Sequence, residues 1–321
     1  MAKTVQDIEA PILAIRDGIH AALGGIDREV FDFTKFPSLF MGKAVRARFT
    51  LLIGRALKLD PDKAQKIAIA AELTHTASLL HDDCIDVARS RRGQPTLNEN
   101  LGINAAILVG DLILSLAFEL AAGFSQDLAR ELVTTVRHMT EGALLEENSR
   151  GRKISADTAN RIVALKTGAL FRWCALAACS LSGRRELLEA CATIGSETGA
   201  AFQVIDDVLD FDGDPGECGK EILKDIAEGK FTLPLILALN APGAGPRAEA
   251  LMAELKKSPA ADFAPALGLS ALVKEGGFTA AARGSAMERL KTVSALVDTL
   301  PEPGGARELK YFLLSLGGRK A

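Results

Sequence analysis

The sequence predicts an all-α fold, a single-domain bundle of ten or more helices around a central cavity. Three observations carry that prediction. Alanine and leucine, both strong helix formers, dominate the 321 residues, while aromatic side chains make up only 5% and Tyr and Trp occur once each. No stretch alternates apolar and polar residues with the period of a half-buried strand. Long apolar segments are instead separated by breaks rich in glycine, proline and charge. With 48% hydrophobic residues the chain can bury a sizeable core, and one domain over residues 1–321 is the economical organisation.

In chain order, residues 5–24 read as a first helix. DFTKFPSLFMG, 32–42, is irregular, with Pro37 and Gly42 as punctuation. A helix is expected from Lys43 to Leu57. Asp60-Pro61 opens the next, proline taking a favoured first-turn position, and that helix carries AQKIAIAAELTHTASLLHDDCID. VARSRRGQPTLNENLG, 87–102, holds Gly93, Pro95 and Gly102 and reads as a loop. Helices follow at 103–122, 126–149, 156–180 and from Arg184 to Asp210, the last with Gly195 and Gly199 as points of interruption. Residues 210–234 form a long functional loop with a short helical piece, Pro234 opens another helix, 241–246 is a surface loop, and a helix over 305–316 closes the chain. There is no solenoid repeat.

Charge is close to balanced, 38 basic against 41 acidic residues, which gives no argument for a nucleic-acid partner. Cys84, Cys174, Cys179, Cys191 and Cys218 form no CxxC pair, which points to reduced thiols and a cytoplasmic location. The N-terminal residues lack the pattern of a signal peptide. INAAILVGDLILSLAFELAAG, 103–123, is long enough to span a bilayer, but Asp111 and Glu119 are costly in lipid. It is therefore expected as a buried core helix rather than an integral membrane segment, with Asp111 facing a polar cleft or capping a buried contact.

Two acidic clusters carry the chemistry: Asp82, Asp83 and Asp86 in LLHDDCIDV, and Asp206, Asp207 and Asp210 in FQVIDDVLDF. On a helix, i and i+4 share a face, so each cluster presents a concentrated carboxylate surface flanked by apolar residues. One such cluster is most often a helix-surface or capping group. Two with the same spacing and apolar flanks point to a hard divalent cation, because like charges need compensation and Mg²⁺ is commonly held by carboxylates plus substrate phosphates. Two such clusters facing one another around shared ions would clamp a diphosphate. Cations stand beside the loops: Lys43 and Arg46, Arg91 and Arg92, Lys166, and Lys220, Lys224 and Lys230. Arginine suits phosphate oxygens through its fixed donor fork.

At these motifs the sequence resembles the trans-isoprenyl diphosphate synthases, the polyprenyl synthetase family, and within it the medium- and long-chain members. LLHDDCIDVARSRRGQPT resembles the family's first aspartate-rich motif and the Arg-Arg-Gly after it, and FQVIDDVLDFDGDPGECGKEILKDIAEGKFTLP its second motif and lysine loop. The resemblance is strong over residues 40–235; the C-terminal third matches only in helical character. It implies the isoprenoid synthase fold and a reaction in which an allylic diphosphate is ionised and the double bond of isopentenyl diphosphate attacks the cation. It implies three Mg²⁺ per active site, with Mn²⁺ able to substitute, and a homodimer. Carried over by position, Asp82, Asp83 and Asp86 would hold two ions, and Asp206, supported by Asp207 and Asp210, the third. Arg91, Lys166, Lys220 and Lys230 would grip the allylic diphosphate, and Lys43, Arg46, His75 and Arg92 the isopentenyl diphosphate. Thr167 and Gln203 would line the reaction centre and Phe202 would pack near the isopentenyl unit. Alone, His75 also reads as a satisfied helix histidine, Lys166 as a snorkelling surface lysine, and His81 as structural.

The chain departs from the family pattern at several places. Ala44 and Ala47 stand where an arginine and a proline are usual, Ala143 and Glu146 where a glutamate and a glutamine are, and Leu223 where a glycine is. Arg48 is a candidate replacement for the cation missing at Ala44. The residues one turn before Asp82, Ala77 and Ser78, and Thr74 beyond them, are small where short-chain members carry an aromatic ring, which resembles synthases of C20 or longer products. Phe118 and Met139 are candidates to block that tunnel from neighbouring helices. The alternatives are a divergent class I enzyme that ionises an allylic diphosphate for cyclisation or another coupling, and a helical interaction scaffold.

Overall fold

The computed structural model describes residues 2–39, 42–212, 223–257 and 264–318. Among these the regular structure is almost wholly helical. The chain runs α1 (Ala2–Leu23), two 3-10 turns (Phe33–Lys35 and Pro37–Leu39), α2 (Val45–Ala56), α3 (Pro61–Ile85), β1 (Ser90–Arg91), β2 (Gln94–Pro95), α4 (Leu97–Leu101), α5 (Ile103–Ala122), α6 (Gln126–Ser149) and α7 (Ala156–Val163). A π-helical stretch (Ala164–Gly168) joins α7 to α8 (Ala169–Leu181); a 3-10 turn (Arg185–Leu187) leads into α9 (Leu188–Asp212). Then come α10 (Lys224–Ala227), α11 (Leu233–Asn240), α12 (Gly245–Leu255), α13 (Ala264–Glu275), α14 (Phe278–Val297) and α15 (Pro303–Gly317). Contacts divide the chain into two compact units, one of Met1–Arg137, Leu170–Gly195 and Leu296–Phe312, the other of His138–Ala169, Ser196–Ala295 and Leu313–Ala321.

In the first unit α3 is the central element. Its start is set locally: Pro61 needs no N–H partner in the first turn, and the Asp60 carboxylate accepts from Asp62 N at 3.0 Å and Lys63 N at 3.2 Å. Ile67, Ala68, Ala70, Ala71 and Leu73 are fully buried, so α3 has apolar residues on several faces and packs against α1, α2 and α5. α2 begins at Val45, two residues later than expected, because Ala44 takes a left-handed backbone (φ 48) that cannot continue a helix. The segment read as a loop from 87 contains a minimal antiparallel pair, Ser90 opposite Pro95 and Arg91 opposite Gln94. Its two-residue turn, Arg92 (φ 54) and Gly93 (φ 73), has the positive angles a type I′ hairpin requires. Two-residue strands are too short to show any alternation in sequence.

The expectation that residues 103–123 are buried is corrected. α5 buries its small-residue face, Ala106, Val109, Gly110, Ile113, Ala117 and Ala121, while Leu108 is 67% exposed and Ile103 and Ile107 are also open. Asp111 is exposed beside His81, 3.4 Å away, and the His81 ring also hydrogen-bonds the Ile107 carbonyl at 3.2 Å. By length and composition alone this helix and the 156–181 segment could cross a membrane.

In the second unit Phe211, Leu235, Leu239, Met252, Leu269 and Val273 belong to one buried cluster that α9 and α11–α13 close. α9 is continuous through Gly195 and Gly199, contrary to the expected interruption. A methyl at Gly195 would lie 2.6 Å from Arg172 Cα and from the Phe171 carbonyl oxygen, so the glycine serves close backbone approach between α8 and α9. Gly195→Ala is expected to lower stability by about 1–3 kcal/mol, since the obstacle is backbone that cannot turn aside. Thermal and denaturant unfolding check this; an unchanged Tm contradicts the close approach.

Candidate active site

Both acidic clusters fold the same way. Asp82 and Asp86 are half-exposed at the C-terminal end of α3, where Asp86 caps the helix and donates its N–H to the Asp82 carbonyl at 2.8 Å. Asp83, expected to share their face, is 4% exposed and turned to another side of the helix, since successive residues are rotated by about 100°. There Arg91 grips it: Nε lies 3.0 and 2.9 Å from the two carboxylate oxygens and a terminal nitrogen 2.7 Å from Oδ1. This is the arrangement in which arginine and carboxylate bind most strongly. The hairpin carries Arg91 to Asp83, and Thr96 Oγ1 and Asn98 Nδ2 fasten its base by donating to the Ala88 carbonyl at 2.6 and 2.9 Å. In the second unit Asp206 and Asp210 are half-buried, whereas Asp207 is 5% exposed and accepts from Gln203 Nε2 at 2.9 Å. Burial, then the nearby Asp225, raises the Asp207 pKa far above the carboxylate range. Asp225 is pushed up to about 7 by burial and by Asp210, whose Oδ2 accepts the Asp225 N–H at 3.2 Å.

The cations gather in the same two groups. In the second unit Lys166 and Thr167 sit on the π-helical stretch, a device common at functional sites. Gly142 allows it, for a methyl there would fall 2.6 Å from Lys166 N. Lys166 Nζ pairs with Glu146 Oε2 at 2.7 Å, and Thr167 Oγ1 donates to Gln203 Oε1 at 2.7 Å, extending a chain Thr167–Gln203–Asp207. Lys230 pairs with Glu228 at 2.5 Å; burial opposes its charge, but Glu146, Asp225 and Glu228 together raise its pKa. Phe202 is buried. Lys220 lies outside the described residues.

In the first unit Lys43 is exposed, while the Arg46 guanidinium is buried over the Phe171 ring, 5.2 Å from its centroid. Beside it is Glu72, a residue that sequence reasoning did not single out. Glu72 is buried and accepts the Ala47 N–H at 2.9 Å, a bond that the usual proline at this position could not make. Burial raises the Glu72 carboxyl and Arg46 opposes the shift. Arg48 does not replace the cation missing at Ala44: it binds Glu9 at 2.8 Å and the Lys43 carbonyl at 3.3 Å. The Arg92 guanidinium lies against Gly42, in the space a side chain at residue 42 would take. His75 is half-buried; burial, then Arg46, Arg91 and Arg92, hold its pKa well below 6.5. Ala77 and Thr74 are buried and Ser78 Oγ donates to the His75 carbonyl at 2.8 Å.

Among the described residues no three acidic, histidine or cysteine side chains already converge on one point. The donor set still fits a hard cation such as Mg²⁺, which binds through one or two carboxylates and completes its shell with water and phosphate oxygens. Asp82 with Asp86, and Asp206 with Asp210, are such pairs.

The polyprenyl synthetase family pattern matches residues 36–264. An all-trans-nonaprenyl-diphosphate synthase (geranyl-diphosphate specific) of Rhodobacter capsulatus is 33% identical over 243 residues, 75% of this chain and 74% of the relative. A geranylgeranyl diphosphate synthase of Mycobacterium tuberculosis is 32% identical over 317 residues, 94% of this chain and 86% of the relative. The crystal structure of a polyprenyl synthase from Caulobacter crescentus CB15, complexed with calcium and isoprenyl diphosphate, is similar with a TM-score of 0.87 at 27% identity, over 100% of this chain and 98% of that one.

His75 gives a pH test. Its native pKa is depressed below 6.5, so the folded state resists a proton that the unfolded chain accepts. The stability it contributes is full above that value and declines as the pH falls from 6.5 toward the native pKa. His75→Gln is expected to flatten the fall of Tm between neutral and mildly acidic pH. Melting curves of both proteins across that range check it, and parallel curves refute it.

Proposed function

The chain belongs to the polyprenyl synthetase family and is a prenyltransferase of the head-to-tail polyprenyl diphosphate synthase type, and from that premise we propose the finer reading that follows. It adds isopentenyl diphosphate to an allylic diphosphate (geranyl, farnesyl or geranylgeranyl) and makes an all-trans product of C20 or longer, with Mg²⁺ as cofactor. The observation that carries this is the shared build of the two clusters, each with its outer aspartates half-exposed and its middle one buried and held by its own partner. The calcium and isoprenyl diphosphate in the Caulobacter structure support a divalent cation acting with a prenyl diphosphate. The small Thr74, Ala77 and Ser78 support a long product.

Bound Mg²⁺ would neutralise the departing diphosphate and so lower the barrier to ionisation. Asp82 and Asp86 would hold two of the ions and Asp206 with Asp210 the third, while Asp83 and Asp207 position them from beneath. Arg91 keeps its grip on Asp83 and turns its remaining donors to the allylic diphosphate. Lys166, aligned by Glu146, and Lys230 add fixed positive charge to that group. Thr167, oriented by Gln203, offers hydroxyl oxygen at the reaction centre. Such preset dipoles and charges stabilise a developing ion pair without rearranging during the reaction. The loss of a cation at Ala44 favours a second reading, a divergent enzyme that ionises the allylic substrate for cyclisation. Dependence of product on isopentenyl diphosphate separates the two.

The buried, unbridged Cys84, Cys174, Cys179 and Cys191 support a cytoplasmic location. The open apolar face of α5, Ile103, Ile107 and Leu108, supports a homodimer formed through helices. The activity is tested with Mg²⁺, isopentenyl diphosphate and each allylic primer, reading products by mass spectrometry; no extended product from any primer overturns the proposal. Asp82→Ala is expected to lower kcat by roughly 10²–10³-fold with the fold intact, the scale of losing one electrostatic stabiliser. Leu108→Lys is expected to yield a monomer by light scattering; an unchanged mass assigns the dimer to another surface.

A further inference from the structure

The first turn of α2 lacks the side chain that normally closes such a turn. Its N-cap is Ala44, whose methyl accepts no hydrogen bond, and the first N–H groups of a helix have no partner within it. An N-cap side chain ordinarily accepts from the second or third helical residue. Here the third is Ala47, and its N–H goes instead to Glu72 Oε1 at 2.9 Å, a carboxylate from the middle of α3. A carboxylate also suits the positive end of the helix dipole. Ala44 itself holds a left-handed backbone (φ 48), a strained state for alanine that persists only where the surroundings impose it.

Glu72 is more than a cap. It is 4% exposed, and both Arg46 of α2 and Arg92 of the hairpin turn act on its charge. Burial raises its pKa, and Arg46, the Ala47 N–H and Arg92, in that order, oppose the rise. The Arg92 charge is disfavoured by burial and by Arg91, and it is supported by Glu72 and then by Asp83. Two of the cations expected to hold isopentenyl diphosphate therefore share Glu72 as a buried counter-charge. His75 follows three residues later on α3, on the same side of the helix. Arg46 has further supports: its guanidinium lies 5.2 Å from the centre of the Phe171 ring, and its carbonyl accepts from Thr50 Oγ1 at 2.8 Å.

We propose that Glu72 is a positioning residue for the isopentenyl diphosphate half of the site: it replaces the missing N-cap, holds the turn at 43–47 against α3, and directs Arg46 to the substrate without touching that substrate itself. This rests on the prenyltransferase reading. The proline usual at position 47 has no N–H to donate, so the tie exists because the chain departs from the family pattern. Ala47 and Glu72 thus work as a pair.

The full-length protein is compared with Glu72→Gln, Glu72→Asp and Ala47→Pro. For Glu72→Gln, which removes the charge but keeps the shape, the KM for isopentenyl diphosphate is expected to rise about fivefold or more, with kcat and the allylic KM within about twofold. Glu72→Asp keeps the charge and recovers part of the loss. Calorimetry with isopentenyl diphosphate alone, without Mg²⁺ or an allylic substrate, is expected to give the same ratio as dissociation constants. In the Ala47→Pro background Glu72→Gln is expected to raise the KM by a clearly smaller factor, because one of its two ties is already gone. The same factor in both backgrounds overturns the tie. A lowered Tm with unchanged KM and dissociation constants makes Glu72 structural only and overturns the inference while leaving the activity standing. If the wild-type protein extends no primer, the activity proposal fails, and calorimetry decides whether Glu72 acts on isopentenyl diphosphate binding. A wild-type protein that binds no isopentenyl diphosphate overturns the inference as well.

Discussion

A carboxylate withdrawn from water must find a cation, hydrogen-bond donors or a proton, and each acidic cluster withdraws one. Asp83 is buried while its Arg91 partner is about a third open to water, so the two constrain each other through a three-contact pair that solvent partly screens. Their bond fixes the hairpin against α3, and the hairpin turn in turn fixes Arg92. At Asp207 the compensation is different: Gln203 donates to it, Thr167 donates to Gln203, and a raised pKa completes the settlement. In both clusters one member is buried with its own partner and the other two are half-exposed.

The helical part of this was legible in the sequence because it depends on local rules. Spacings of i and i+4 place Asp82 with Asp86 and Asp206 with Asp210, and Asp60-Pro61 marks the start of α3 as a cap should. What the same spacing could not tell is the fate of the middle aspartate, which depends on a residue eight positions away across a turn. That turn needs a non-glycine residue in the left-handed region, a choice that only tertiary context repays. Gly195 misled for a related reason: a glycine in a helical pattern reads as a break when the contact it serves lies on another helix. α5 misled because a uniformly apolar segment does not reveal which face is covered. Glu72 carries no local signal at all, since its partner is a backbone N–H twenty-five residues earlier.

The departures from the family pattern also become physical statements. Replacing proline by alanine at 47 frees an N–H, and Glu72 takes it up. The same carboxylate stands beside Arg46, so the first turn of α2 is tied to α3 by side-chain chemistry as well as by apolar packing. Glu146 stands where a glutamine is usual and pairs with Lys166. It also reinforces the charge on Lys230. The first change adds a hydrogen bond to a buried carboxylate and the second an ion pair.

The π-helical stretch at Ala164–Gly168 has a consequence of its own. It holds one more residue per turn than the α-helices on either side, so the rungs before and after it are out of phase. Lys166 and Thr167 owe their directions to that phase slip. Losing one residue there would rotate everything upstream by about 100° relative to α8 and break both side-chain partnerships together. Change in length along this part of the chain is therefore confined to the connecting turns: the segment behaves as a ratchet with a single working notch.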